Sequence, residues 1–588
     1  MKRRDLLKTL GMGALAAPLA SKLSAAQAPL QRPNVILLIT DDQGYGDLSC
    51  HGNPVLKTPN LDRLHDESVR LTDFHVSPTC SPTRASLLTG RYCNRTGVWH
   101  TIMGRSLLRR DEVTMADVFA ANGYRTGIFG KWHLGDNFPF RPQDRGFQEV
   151  LVHRGGGIGQ GSDWWGNDYF DDTYFRNGRP EKFEGYCTDV WFREAAKFIE
   201  TRREQPFFCY LATNAPHAPH RIDRRYSEPF RGQAEEELSR FYGMVANIDE
   251  NTGRLMGMLD ERGLRGNTIV VFMTDNGSEY GEGRTRNAAG MRSNKGSPYE
   301  GGHRVPFFIR WPDGGLHGGR DIGRLTAHID VLPTLIDLCG LIPPPGVVFD
   351  GKSLKPLLAG SAADWPDRIL VTDSQRVDHP VPWRRSAVMG ETWRLVNRDE
   401  LYDIQADPHQ DRNVAMANPD VVGNMRKAYE SWWKDVSKRF NEYCEIVIGA
   451  REENPTCLMS HDVHGQVVWN HGQVSRGARS DGFWAVEAAQ DGLYEFALRR
   501  WPPELDQPIT AAVPVDQDEP AGSGITATEA RLKIAGFDET KPVPAGAAEV
   551  KFTLPLKSGK TRLQAWFVNG LGNGITHGVY YVCVKRLS

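Results

Sequence analysis

What this 588-residue chain lacks narrows its class before any motif is read. Neither sign of charge is in excess: 71 Lys plus Arg stand against 73 Asp plus Glu, a formal net charge of −2. Without a basic surplus the chain carries no electrostatic footprint for nucleic acid, and none is expected as a partner. No stretch reaches the roughly 20 apolar residues that span a bilayer, so no stable membrane crossing is expected. The nine cysteines contain no CxxC pair and none of the spacings of a zinc site. There is no internal repeat and no low-complexity tail. What remains is the composition of an ordinary globular protein, long enough for two or three domains. Its 15 Trp are somewhat many, as on sugar-binding surfaces.

Residues 1–28 read as a signal peptide, not as part of the fold. Lys2-Arg3-Arg4-Asp5-Leu6-Leu7-Lys8 precedes a short apolar run from Thr9 to Leu19 and small residues ending at Ala28. The paired arginines give it the look of the twin-arginine type, which makes the export machinery a partner and the destination periplasmic or secreted. An odd number of cysteines leaves at least one unpaired after export, and Cys444 with Cys457 is the pair expected to form a disulfide. Cys209, within Phe207-Phe208-Cys209-Tyr210-Leu211, reads as a buried strand residue.

From about residue 33 to 340, apolar runs alternate with helical patterns, which argues an α/β fold on a largely parallel sheet. Val35 to Ile39 is a continuous apolar strand of the kind buried on both faces. Further strands are expected at Arg125–Phe129, Phe207–Ala212 and Thr268–Met273. The four runs end in Thr40-Asp41-Asp42, Gly130-Lys131-Trp132-His133, Asn214-Ala215-Pro216-His217 and Thr274-Asp275-Asn276. Chargeable groups thus follow each carboxyl end, the edge where open α/β sheets bind ligands. Helices are expected over Thr58–Arg70, Asp111–Asn122, Thr188–Arg202 and Ala234–Arg262. Arg154 to Gly185, rich in Gly and aromatics, reads either as an insert at the mouth of the site or as a self-packed surface loop. Trp393–Val396 and Glu400–Asp403 form an expected hairpin, followed by a helix at about 419–438. The last 130 or so residues alternate in the β manner between Gly and Pro clusters, as in an antiparallel sandwich.

The rest of the chain is arranged around Cys80-Ser81-Pro82-Thr83-Arg84. Pro82 suits a first helical turn and Gly90 a helix end, so Cys80 sits at a helix N-terminus, where negative charge is favoured. Arg84, about one turn on, can point back to the same spot. Cys-x-Pro-x-Arg followed by Leu88-Thr89-Gly90-Arg91 resembles the signature of the type I, formylglycine-dependent sulfatases of the alkaline phosphatase superfamily. Gly-Lys131-Trp-His133-Leu-Gly, Ala-Pro-His217-Ala-Pro and the Lys295-Gly-Ser-Pro-Tyr-Glu-Gly-Gly-His-Arg stretch match further family motifs, in order. The phrase from Glu400 through Asp407-Pro408 to Asn413 is similar to the start of the family's carboxyl-terminal subdomain.

The resemblance, over roughly residues 33–440, implies an alkaline-phosphatase-like, mostly parallel central sheet flanked by helices. A small α+β subdomain and an antiparallel β-sandwich are expected to follow it. The expected boundaries are 29–384 for the catalytic domain, 385–445 for the subdomain and 446–588 for the accessory sandwich. The implied reaction is hydrolysis of a sulfate ester, most readily of a carbohydrate, by a formylglycine (3-oxoalanine) made from Cys80 by a maturation enzyme. Asp41, Asp42, Asp275 and Asn276 offer hard oxygen ligands that suit one Ca2+, with Mg2+ as the alternative; by resemblance, modified Cys80 adds a hydroxyl. Arg84, Lys131 and Lys295 would balance charge on the sulfuryl oxygens. His217 or Lys295 would protonate the leaving oxygen, and His133 would take the proton when the aldehyde reforms. His220 and His303 lie near these motifs as further candidates. Three other readings stay open: a formylglycine-dependent phosphonate or phosphate ester hydrolase, a catalytically silent glycan-binding relative, and a structural Cys80 in a disulfide.

Overall fold

The computed structural model describes residues 32–201, 205–280, 289–361, 365–515, 522–569 and 575–588. The segment read as a signal peptide lies outside the described residues. Four parallel strands carry the middle of a ten-stranded sheet: β1 (Asn34–Thr40), β2 (Arg125–Lys131), β3 (Phe207–Ala212) and β4 (Thr268–Thr274). Their spatial order is β4-β1-β3-β2, with Ile39 level with both Met273 and Ala212, and Gly130 also level with Ala212. All four carboxyl ends therefore finish at one height. Glu149–His153 continues the sheet in parallel beyond β2, and Phe307–Arg310 closes antiparallel on β4.

β1 is apolar throughout because both its faces are covered. Val35, Leu37 and Ile39 join a core with Leu87 and Leu88, while Ile36 and Leu38 pack on the opposite side with Val190, Trp191 and Ile248. Helix α1 (Cys80–Thr89) is buried along its whole length. It starts after Thr79 in extended conformation and stops where Gly90 takes φ 67°, a left-handed turn that glycine adopts without steric cost. Pro82 sits within its first turn, where a missing N–H removes no helical bond.

Several elements begin or end differently from their sequence patterns. The helix expected over Thr58–Arg70 stops at Glu67, and Val69–Leu71 is instead a strand paired with Phe307–Arg310. The helix expected from Asp111 starts at Met115, because Thr114 and Asp117 close a reciprocal capping box there. Part of the Arg154–Gly185 stretch is a hairpin, Thr173–Arg176 with Arg179–Lys182, that extends the central sheet past Glu149–His153. Cys209 is fully buried in β3.

A four-stranded antiparallel sheet follows, and it starts at Leu370, ahead of the expected position 385. Trp393–Val396 and Glu400–Asp403 are its hairpin, and the helix after it runs Pro419–Val436. The remaining strands form two facing sheets around a core that includes Trp484, Phe496, Leu532 and Phe552. They are antiparallel except that Ile446–Ile448 runs parallel to Asp481–Ala488. Leu107 and Phe140, from the N-terminal part of the chain, are buried in that same core, so the sandwich is packed onto the first unit.

The expected Cys444–Cys457 disulfide does not form. Cys457 lies directly across the sheet from Cys583, Cα to Cα 4.0 Å, and bonds to it instead. Cys444 is a buried thiol 3.3 Å from the Leu107 carbonyl. Strand pairing brings together residues 126 apart in sequence, whereas the close pair in sequence faces different surroundings.

Candidate active site

Because β1 to β4 end together, their following residues converge. Asp41 and Asp42 leave β1, Lys131 ends β2, His133 follows it, His217 lies in the loop after β3, and Asp275 and Asn276 leave β4. α1 points its first turn at the same place and delivers Cys80 and Arg84. Lys295 arrives from the loop before the short helix Glu300–His303.

The contacts form one continuous network. Lys131 Nζ donates to Asp41 Oδ2 at 2.5 Å. Arg84 Nη2 and Nε both donate to Asp275 Oδ2, at 2.8 and 3.1 Å, and Nη1 donates to the Lys131 carbonyl. Asn276 Nδ2 donates to Asp42 Oδ1 at 2.8 Å, and Lys295 Nζ to Asp42 Oδ2. His217 Nε2 lies 3.6 Å from the same Asp42 oxygen. Asp41, Asp42, Asp275, Asn276, Arg84 and Lys131 are all fully buried.

Burial on this scale shifts the acids strongly. Burial raises Asp42, but Lys295, His217 and Lys131 outweigh it and hold the carboxyl well below the usual range. Asp275 is pushed up to about 7, first by burial and then by the charge on Asp41, with Arg84 opposing. Burial pushes the Cys80 thiol up to about 12 against the pull of Lys131 and Lys295. As a plain thiol Cys80 is therefore a poor nucleophile.

Asp41 Oδ1 and Asn276 Oδ1 are buried without a hydrogen-bond partner among the described residues. Asp41, Asp42 and Cys80 also present potential ligand atoms within 4.8 Å of one another. Orphaned buried oxygens are costly, and oxygen donors from carboxylates and an amide fit a hard divalent cation. His133 sits at φ 60°, Nε2 2.9 Å from the Thr101 carbonyl. A carbonyl only accepts, so Nε2 carries the proton and Nδ1, buried and without a partner among the described residues, is left as an acceptor.

Cys80 lies at the bottom of a cavity of about 290 Å³ lined also by His100, His133, Gln160, Lys295 and Arg376. A neighbouring cavity of about 590 Å³ shares Gln160, His217, Lys295 and Trp469 with it. His220 does not join this site: it faces a separate cavity of about 750 Å³, with Nδ1 3.1 Å from the Tyr280 hydroxyl. His303 is buried against His75, ring nitrogens 2.9 Å apart, beneath the Lys295 loop. The Gly-rich half of the Arg154–Gly185 stretch does line the mouth, through Gly156 and Gln160. His100, Arg376 and Trp469 carried no signal in the sequence, since each belongs to a loop without a recognisable motif and is brought in by tertiary folding alone, whereas Gln160 was marked only through the insert that holds it.

A buried cysteine on a helix N-terminus, acidic pairs at two strand ends and three cations around them, on an alkaline-phosphatase-like sheet, define a sulfuric ester hydrolase. The chain belongs to the sulfatase family: the Sulfatase family model matches residues 33–341, and that of the N-sulphoglucosamine sulphohydrolase C-terminal region matches residues 294–433. Arylsulfatase A of Homo sapiens is 35% identical over 376 residues, covering 58% of this chain and 70% of that protein. N-acetylgalactosamine-6-sulfatase of Canis lupus familiaris is 33% identical over 387 residues, covering 59% and 70%. Among solved structures, Ps i-CgsB in complex with k-i-k-neocarrahexaose has a TM-score of 0.63 at 27% identity, over 71% of this chain and 95% of that one. The phosphonate monoester hydrolase of Agrobacterium radiobacter, at 22% identity and TM-score 0.51, shares the fold. Both family models end before the C-terminal sandwich.

Proposed function

We propose that this sulfatase is an exported enzyme acting on a sulfated carbohydrate, with Cys80 converted to formylglycine and one divalent cation, Ca2+ in preference to Mg2+. The observation that carries the reading is the convergence of nine residues, from six separate segments, on Cys80: Asp41, Asp42, Arg84, Lys131, His133, His217, Asp275, Asn276 and Lys295 surround it. The carbohydrate is supported by relatives named for N-acetylgalactosamine-6-sulfate, by the neocarrahexaose complex of Ps i-CgsB and by a double cavity that carries Gln160, Asn470 and Arg476 beside the indole of Trp469.

Cys80, once converted, would supply the hydrated aldehyde that serves as nucleophile. Asp41, Asp42, Asp275 and Asn276 would hold a divalent cation, which would supply Lewis-acid polarisation of the ester. Arg84 is clamped by Asp275 and the Lys131 carbonyl, so its guanidinium is fixed beside residue 80 at no reorganisation cost during reaction. Lys131 and Lys295 bring positive charge to the sulfuryl oxygens from two sides. Lys295 and His217, on the open side of the pocket, are placed to give a proton to the departing oxygen. His133, with Nδ1 as its unpartnered acceptor, is placed to take a proton from the second hydroxyl at residue 80.

The deciding measurement is the mass of the peptide containing residue 80, from protein made with a formylglycine-generating enzyme. A loss of about 18 mass units relative to cysteine, with activity tracking the converted fraction, is expected. Fully active protein with an intact thiol would overturn the reading. Rates on matched sulfate and phosphonate esters then separate a sulfatase from a phosphonate hydrolase on the same fold.

A further inference from the structure

One wall of the pocket comes from beyond the family-matched region. The segment 467–470 precedes the short helix His471–Ser475 and is sewn to the Gly-rich insert. Gly161 N donates to the Trp469 carbonyl at 2.8 Å, His471 N to the Gly159 carbonyl at 3.1 Å, and the Tyr581 hydroxyl to the Gly161 carbonyl at 2.8 Å. Trp165 stacks on His471 at 4.4 Å and meets Trp501 edge-on at 5.2 Å. Insert and C-terminal module thus form one packed unit, and its exposed product is Trp469, half-buried between the two cavities.

Past Trp469, Arg476 stands exposed on the rim of the 590 Å³ cavity. The acids of that cavity have other neighbours: Asp168 accepts from Arg221 at 2.8 Å, and Glu279 lies 3.3 Å from His220. Among the described residues no carboxylate pairs with Arg476. The backbone beneath it is held rigid by Arg500, whose buried guanidinium donates to the carbonyls of Val474, Ser475 and Ser523 at 3.2, 3.1 and 2.6 Å. An exposed planar cation and a half-buried indole on the lining of one cavity match a charged sugar, with the ring face on Trp469 and the anion on Arg476.

We propose that the C-terminal module completes a subsite for the sugar next to the sulfated one, with Trp469 as platform and Arg476 selecting a second anionic group, sulfate or carboxylate. The subsite rests on the carbohydrate-sulfatase reading above. Its test uses the full-length matured protein and three N-acetylgalactosamine-6-sulfate disaccharides, whose neighbouring sugar is sulfated, a uronate or uncharged. Wild-type protein is expected to favour at least one charged disaccharide about tenfold in kcat/KM. Arg476→Ala removes that preference through KM, Arg476→Lys restores part of it, and Trp469→Ala raises KM for all three. Whether the sulfate or the uronate arm responds identifies the anion. A preference that survives Arg476→Ala, or none in the wild type, overturns the subsite. Loss of all turnover in matured wild-type protein strikes the sulfatase reading instead. Calorimetry of the same disaccharides on Cys80→Ala protein then decides the subsite alone: it stands if Arg476→Ala weakens binding of a charged disaccharide tenfold and falls if the Kd does not move.

Discussion

Gly156 has no room for a methyl group. A Cβ built there falls 2.3 Å from His133 Cε1 and 2.4 Å from Nε2, the same nitrogen that is hydrogen-bonded to the Thr101 carbonyl. Gly156→Ala is expected to swing the ring off its carbonyl partner and to lower kcat by about a hundredfold, the scale at which small misplacements act. KM and the circular dichroism spectrum should stay close to wild type; an unchanged kcat would remove His133 from the reaction. At this scale the sequence was informative where chemistry repeats in a recognisable phrase. Cys80, Lys131, His133 and Asp275 each sit in a short motif tied to a strand or helix end. Gln160 and Trp469 line the same cavity yet read as ordinary loop residues, because nothing local encodes a neighbour about 300 positions away. The failed Cys444–Cys457 pairing has the same cause, since the partner of Cys457 is chosen by strand register and not by proximity along the chain.

Among elements, the four-stranded sheet holds the pocket from behind. Arg394, fully buried on Trp393–Val396, donates through Nε to Glu300 at 2.8 Å and through Nη2 to Asp73 at 2.9 Å. Glu300 opens the short helix that follows the Lys295 loop, and Asp73 lies 2.9 Å from His75, whose other ring nitrogen meets His303. Arg394→Met would strand two buried carboxylates, so unfolding free energy should fall by about 3–5 kcal/mol in chemical denaturation. A Lys295 loop loosened by the same change would also lower kcat, whereas a loss of stability with kcat intact would confine Arg394 to a structural part. Central strands were legible to within a residue or two, because runs such as Val35–Ile39 are apolar on both faces. Helix ends were less so: the Thr114–Asp117 capping box and the strand at Val69 depend on partners that periodicity does not show.

For the whole molecule, acid is the expected weakness. Burial holds His51, His303, His328 and His471 down to about 4, 3, 3 and 4. The unfolded chain takes up these protons near 6.5 and the native one does not, so their contribution is complete above 6.5 and is lost as pH falls toward 3–4. Asp172, Asp249 and Asp373, raised to about 6 by burial, act in the opposite sense between 6 and 3.8. From pH 7.5 to 6 Asp275, at about 7, opposes them as well, one acid against these four histidines. Melting temperature should therefore drop by about 1–2 °C across that interval in a thermal-shift series, and a rise would contradict the balance.

Cys80 is only 2% exposed, on a helix with no free face. Any enzyme that rewrites this side chain must reach it while the chain is still open. On the formylglycine proposal, folding and maturation run as a race with a single finish. A molecule that folds first keeps its thiol for life, and the active fraction of a preparation is a record of synthesis, not of later treatment. Adding the maturation enzyme to native thiol protein should leave its peptide mass unchanged, while the same enzyme present during refolding from denaturant should convert it.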